Sequence, residues 1–578
     1  MASTVTLILY IFLFITPLIQ AERNHPLLSD FDALGTWFDG VAAINHTNNE
    51  TPASKNTSIA IVGAGISGLT TALLLDSVGI HNWEIIEASN RVGGRIRTKY
   101  LGGTEEWAEM GPMRIPHRVR YEDGEVVEFS DHKMVFEVAE MLNEMNGVDG
   151  EWRVDFIPFV EHSENELRGG RDTKRHTDGR IPTRKEVKTD PSLLESRPKS
   201  EEYERTEAAM GEIQRNKTTM KHIQKDVHRA HRAAMDEGLD DWDQQGMMHH
   251  VFNASANITD EILTANFQSS IWDTMYLYAQ FGLGDTKDEL SIEWKCVDGG
   301  FNRLADAFLP HIRDRLTLNR KIRKLEALQE GNRVKTKLSW YPSVTNRTAQ
   351  SKEYDYTIMA VPFTMTRFMD LPKFSSALDR ATSAGGLRFG PACKVALLFS
   401  ERFWEKGERP IFGGYSETVD PAVAALHYPV YGWNQSRPGI IFSYQDELYG
   451  DILVSLSDEE HVQTVLDSAV DLHGEQARDL YTGHYERLCW LQDEHTATAW
   501  CHPDVGQHKL YIPAFHRTEY NTIFIGEHTA VTHDWLSSGI LSAVRGSIQL
   551  LLELGLVDEA KELNRRWMGR WIKHEERK

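Results

Sequence analysis

Cysteine is scarce in this chain: Cys296, Cys393, Cys489 and Cys501 are the only four among 578 residues. So few and so dispersed, they exclude a disulfide scaffold and a C-x-x-C metal knuckle, and no zinc site is expected. Cys489 and Cys501 are the nearest pair in sequence, and the residues alone leave open whether they pair or stay buried thiols. Positive charge is also in deficit. Lys and Arg number 63 against 85 Asp and Glu, a net charge of −22 that argues against nucleic acid as a partner. Low-complexity tracts and internal repeats are missing, so a solenoid is excluded, and 41% hydrophobic content fits a multidomain globular protein.

Near the N-terminus, residues 5–19 form an apolar run short of a comfortable membrane span. With Pro17 near its end, Ala21 behind it and a polar stretch next, residues 1–21 read as a cleaved secretory signal. The missing Lys or Arg before the run and Ile19 near its end depart from that pattern, and an uncleaved anchor is the alternative. Eight Asn-x-Ser/Thr sequons support the secretory route: Asn45, Asn49, Asn56, Asn216, Asn253, Asn257, Asn346 and Asn434. Three of them cluster in residues 45–58, so residues 22–55 are expected to be an exposed arm or propeptide.

The chain is organised around Ser58 to Pro116. The apolar run Ile59–Val62 reads as a buried parallel strand, and Gly63-Ala64-Gly65-Ile66-Ser67-Gly68 follows it as a G-x-G-x-x-G turn into a helical pattern. The first glycine permits the turn, the second admits a pyrophosphate to the backbone, and the third, Gly68, lets helix pack on strand. The helix N-terminus then faces the anion. A second strand, Trp83–Ile86, ends in Glu87, 19 residues past Gly68, where a ribose-hydroxyl acceptor is expected.

The segment from Glu87 and Ala88 through Arg91, Gly93, Gly94 and Arg95 to Thr98 resembles the E-x-x-x-R-x-G-G-R-x-x-T signature of the flavin amine oxidase superfamily. That resemblance implies FAD in an extended form, with Arg91 and Arg95 as cations for its diphosphate, and the lack of a Cys in the C-terminal segment where some amine oxidases tether their flavin makes it non-covalent. Glu109 to Pro116 is similar to the segment by which the L-amino-acid oxidase branch presents a substrate arginine. Arg114 is therefore the expected partner of an α-carboxylate, and Met113 a cofactor neighbour. Gly299-Gly300 before a helix, a strand leading to Ile322 beside the adenine, and Tyr356–Pro362 also match the family in order.

Lys394, alone in the otherwise apolar run Gly390–Phe399, resembles the family lysine that assists reoxidation by oxygen through a water; a solvent-facing lysine is the competing reading. Tyr428 lies where a tyrosine gives the carboxylate a second hydrogen bond. Trp490, Asp493 and Thr498-Ala499-Trp500 resemble W-x-x-D…G-A-aromatic, with Thr498 in place of glycine, so Ala499 is expected beside the flavin and Trp500 in the side-chain pocket. The last motif, Gly526-Glu527 and then Asp534-Trp535 with Ser538-Gly539-Ile540, implies that Glu527 holds a ribityl hydroxyl. Ser538, Gly539 and Ile540 would begin a helix facing the flavin pyrimidine. Trp535 would close the amino-group side, and Asp534 either caps that helix or attracts a cation, capping being the first choice.

The implied fold is α/β: a Rossmann-type FAD-binding domain in three parts (56–120, 291–365, 501–560), a β-rich substrate domain (121–204 with long loops, 366–500), a helical domain (205–290) and a tail (561–578). His228, His231, His249 and His250 invite a metal reading, but no carboxylate-histidine motif accompanies them and no metal is expected. The resemblance implies oxidative deamination of L-amino acids by hydride transfer to flavin N5, with O2 as acceptor, giving 2-oxo acid, ammonia and hydrogen peroxide. A homodimer is a possible assembly. A related amine or polyamine oxidase, an amino-acid monooxygenase, and a non-catalytic binding protein like the GDP-dissociation inhibitors are the alternatives.

Overall fold

The computed structural model describes residues 54–568, apart from 148–149, 196–197, 264–268, 283–289, 332, 344 and 434–436. The signal, nearly all of the arm, the tail beyond 568, and the sequons Asn45, Asn49 and Asn434 lie outside the described residues. No helix among the described residues is long and apolar enough to cross a membrane.

Five parallel strands form the nucleotide-type sheet in the order Thr522–Phe524, Tyr356–Met359, Ile59–Val62, Trp83–Ile86, Leu316–Thr317. Ile59–Val62 lies in the middle and is buried at every position, which is why it reads as an unbroken apolar run. The helix Ile66–Ser77 leaves directly from its glycine turn and packs against the long helix Leu536–Glu553. Leu69, Leu73, Ile540, Val544 and Ile548 share one core, so the start and the end of the chain are joined by apolar burial.

A second sheet is antiparallel, ordered Tyr415–Glu417, Ala425–His427, Gly439–Asp446, Ala392–Phe399, Tyr481–Cys489. All eight residues of Ala392–Phe399 are buried, so Lys394 is not a solvent-facing lysine. A disulfide joins Cys393 to Cys489, which face each other across two adjacent strands. Cys296 and Cys501 are free and buried, so the pairing follows strand register and not proximity in sequence.

Two stretches differ from expectation. The strand Ser291–Val297 belongs with Ile115–Arg120, Phe156–Phe159 and Val126–Glu128 in a four-stranded antiparallel sheet, and the parallel sheet resumes only at Leu316. Within the stretch expected to be β-rich (366–500), the apolar run Ile452-Leu453-Val454 falls at the end of the helix Glu447–Leu453, which follows the strand Gly439–Asp446. The helix Asp458–His473, opened by a capping box of Ser457 and Glu460, buries Val462 and Val465. Residues 201–281 carry five helices of seven residues or more, Glu201–Gln214, Lys217–Lys225, Val227–Asp236, Ala256–Ile262 and Ile271–Phe281, around Met210, Met220, Ile223 and Trp272.

Between the sheets lies a buried charge network. Arg402, fully buried, reaches Glu106 at 2.8 Å and Glu405 at 3.1 Å and donates to the carbonyls of Tyr431 and Pro438. Arg437 approaches Glu106 from the other side at 2.7 Å. Removing one member leaves charge uncompensated in a region that excludes water. Arg402→Met is therefore expected to lower stability by about 3–5 kcal/mol, read as an earlier thermal transition, with Arg402→Lys recovering only part of the loss.

Candidate active site

A cavity of about 770 Å3 opens where the parallel strands end, bounded by the antiparallel sheets on one side and the helix Ile271–Phe281 on another. It runs past Gly63, Gly65 and Ser67 at the glycine turn, Glu87, Ala88, Arg91, Gly94 and Arg95 on the second segment, and Ile322. From the distal segments come Met113, Arg114, Lys394, Ala499, Trp500, Gly526, Glu527, Asp534, Trp535 and Gly539. Four predicted residues stand apart from it. A Cβ on Gly68 would lie 2.0 Å from the Gly63 carbonyl oxygen, so this glycine serves the helix–turn contact. Ser538 is held by Thr532 and Ile540 packs in the core. Tyr428 is buried, its hydroxyl donating to Ser416 and meeting His473 at 2.8 Å, within the core of the second sheet.

At the dinucleotide end the charges sort differently from expectation. Glu87 accepts from the Ala64 and Ser89 amides, 2.7 and 2.8 Å away, which fixes its carboxylate at the mouth of the turn. Arg91 donates to the carbonyls of Val92, Gly94 and Ile96. Its guanidinium therefore shapes the Gly93–Gly94 loop and is not a free cation for a diphosphate. Arg95 pairs with Glu527 at 2.9 Å and also reaches the Ala499 carbonyl. Glu527 Oε1 is thus saturated, by Arg95 and the Cys501 amide, while its buried Oε2 has no partner. An orphaned carboxylate oxygen on a cavity wall fits a ligand hydroxyl, and the first-turn amides of Leu536–Glu553, uncapped by any side chain, fit an electron-rich ring edge. Together with the open face at Gly65, where an added Cβ would meet nothing, these donors and acceptors fit a flavin dinucleotide.

At the other end Arg114 sits among aromatic rings, 5.1 Å from the Phe281 centroid, 5.4 Å from Trp294 and 5.6 Å from Phe159. Its buried Nε forms an ion pair with Glu161 at 3.1 Å without hydrogen-bond geometry, and its two terminal nitrogens make no hydrogen bond among the described residues. Trp535 packs edge-on to His132 and stacks on Trp294, forming the same apolar wall. Lys394 donates to the carbonyls of Gly111 at 2.7 Å and Glu109 at 3.1 Å, and burial pulls its pKa down. Burial pushes the Glu109 carboxyl up, against hydrogen bonds from Phe301 and Thr98.

Several cavity residues were missed. Tyr444, directly opposite Lys394 in strand register, lines the cavity and donates to Asp446 at 2.9 Å. Its place follows from strand register, which the sequence pattern does not carry. Glu447, Asp446 and Asp534 make this wall acidic. Asp534 opens to the cavity deep within the molecule at φ 75°, and it precedes the N-cap Trp535, so it does not cap the helix. Burial, then Glu527 and Asp273, push its carboxyl well above the usual range. Thr498 is buried, donating to the Gly390 and Trp500 carbonyls, and does not reach the cavity.

A family profile for flavin containing amine oxidoreductases matches residues 66–547. The chain is 37% identical over 565 residues to an L-amino-acid oxidase of Neurospora crassa, covering 93% of this chain and 78% of that protein. It is 28% identical to an L-amino-acid oxidase of Siganus canaliculatus, over 90% of this chain and 89% of the other. Among solved structures, the fold is similar to putrescine oxidase bound to putrescine (TM-score 0.58, 19% identity, 86% of this chain and 99% of that one). Cyclohexylamine oxidase of Brevibacterium oxydans gives the same TM-score, 0.58, at 17% identity, over 88% and 100%.

Burial and the neighbouring Asp446 raise the Glu447 carboxyl to about 7. Its proton is held by the folded state between the unfolded value of about 4.3 and that point, so folding stability contributed here falls as pH rises through the window. Glu447→Gln abolishes the titration. Its stability relative to the parent is therefore expected to improve by on the order of 1–2 kcal/mol between pH 5 and pH 8, measured by chemical denaturation at both.

Proposed function

Because this chain belongs to the flavin-containing amine oxidoreductase family, we propose that it is an FAD-dependent oxidase of L-amino acids. One observation carries the substrate class: the unpartnered terminal nitrogens of Arg114, held by Glu161 against an aromatic wall of the cavity. A planar fork in this setting matches an α-carboxylate with two parallel hydrogen bonds. The name shared by the Neurospora and Siganus relatives supports the same reading.

FAD, when bound, would supply a two-electron acceptor for the hydride of the Cα–H bond, with dioxygen as the final acceptor and hydrogen peroxide as its product. Glu527 Oε2 would accept from a ribityl hydroxyl, and Glu87 would stand at the adenosine ribose. Arg114 binds the substrate carboxylate, and the Trp535–Trp294 wall keeps bulk water from the reacting carbon. Lys394 Nζ, anchored on the Gly111 and Glu109 carbonyls, is placed to hold a water for the oxygen half-reaction. Water then hydrolyses the released imino acid to a 2-oxo acid and ammonia. A secretory destination is supported by the apolar leader and by sequons Asn56, Asn253, Asn257 and Asn346, all exposed.

A diamine substrate is the second reading, favoured by the acidic wall of Asp446, Glu447 and Asp534. Anaerobic titration separates the two. L-amino acids should bleach the flavin band, air should restore it with peroxide formed, and bleaching by diamines alone would overturn the proposal. Arg114→Met should raise KM for amino acids by about 100-fold or more, the loss of roughly 3 kcal/mol of charge-assisted hydrogen bonding, with the flavin spectrum intact. In stopped-flow experiments Lys394→Met should slow reoxidation by at least about tenfold and leave reduction within a factor of about three.

A further inference from the structure

Outside the groups used above, the cavity wall holds a cluster that the proposed reaction does not employ. Asp273 comes from the helix Ile271–Phe281, His508 from the helix Gln507–Phe515, and His533 from the loop before Leu536–Glu553. Their ligating atoms all lie within 4.8 Å of one another. His508 Nε2 is 3.1 Å from Asp273 Oδ2, and His533 Nδ1 is 3.5 Å from Asp273 Oδ1. Zinc–nitrogen bonds of about 2.0–2.1 Å set tetrahedral ligand atoms roughly 3.3 Å apart, so both separations match ligands that share one ion.

Two further features point the same way. His533 is 4% exposed, and neither of its ring nitrogens has a hydrogen-bond partner, a costly arrangement for a buried imidazole. His508 Nδ1 meets His231 Nε2 at 3.2 Å, an outer contact that fixes the ring and leaves Nε2 directed at Asp273. His231 is thus buried against His508 and not on a solvated helix face, and it belongs to the second ring of contacts.

We propose that Asp273, His508 and His533 form a site for a divalent transition metal, zinc being the best match, with its remaining position facing the cavity. Two imidazoles and one carboxylate suit zinc and leave one tetrahedral position open. Asp273 and His533 both line the cavity, so the ion has a route in from solvent. It would tie the helical domain to the segment carrying Trp535, and no electron-transfer step passes through it.

The test uses flavin-loaded protein, stripped with a chelator and dialysed against zinc chloride, with bound metal counted by mass spectrometry. The wild type should retain about one zinc per chain, and His533→Gln and Asp273→Asn should each weaken binding by at least about tenfold, with flavin absorbance unchanged. X-ray absorption at the zinc edge of the wild type should report two imidazole nitrogens and carboxylate oxygen. Absence of bound zinc at tens of micromolar, a zinc environment without imidazole, or equal binding by the variants would each overturn the site. Should a variant lose its flavin, the wild-type zinc-edge spectrum decides alone.

Discussion

Close approach of bare backbone is the constraint on which this structure depends. The helix Ile66–Ser77 can leave its strand only because Gly68 carries no side chain: a Cβ there would overlap the Gly63 carbonyl. Gly539, some 470 residues later, meets the same turn, where a Cβ would lie 2.7 Å from Ile66. Between them Gly65 and Gly93 bridge, so three segments remote in sequence touch where a pyrophosphate would lie. Everything else is arranged around that contact. The apolar helices Ile66–Ser77 and Leu536–Glu553 hold it shut, and the antiparallel sheets bring Arg114 and Lys394 to its far side.

What was legible in the sequence was local. A strand, a glycine turn, a helix and a following carboxylate occupy consecutive residues, so spacing alone places Gly63, Gly65, Ser67 and Glu87 at the cavity. The resemblance to flavin amine oxidases extended this to Glu527, Lys394 and Arg114, again through short motifs. Legibility failed where a side chain's partner is distant. Arg91 carries a charge fit for phosphate, yet three carbonyls within five residues claim its guanidinium. Tyr428 lies just past the strand Ala425–His427 and turns into the core, whereas Tyr444 lies on Gly439–Asp446, whose register with Ala392–Phe399 sets it opposite Lys394 at the cavity. The cysteine pairing and the placement of Ser291–Val297 depend on the same information, which hydrophobic pattern does not carry.

Charge in the interior follows a common rule. Lys394 donates to carbonyls, Arg402 to carboxylates and carbonyls together, and Glu109 accepts from an amide and a hydroxyl. Each of these buried groups is surrounded by dipoles before any partner ion is counted, which is how its burial is tolerated. On the cavity wall, Arg114, Glu527 and His533 each keep buried atoms without a hydrogen-bond partner, and away from it Asp131, Asp240 and Glu405 each keep one carboxylate oxygen in the same state.

The bond between Cys393 and Cys489 closes a covalent ring spanning a sequence separation of 96 residues, with Lys394 next to one of its clasps. A protease that cut the backbone inside this ring would create new chain ends without releasing a fragment. The bond would still join the two pieces, and the strand bearing Lys394 would keep both neighbours. This part of the molecule therefore stays covalently linked after nicking in an oxidising medium, whereas in a reducing one only the strand ladders and the shared core would hold the cut chain together.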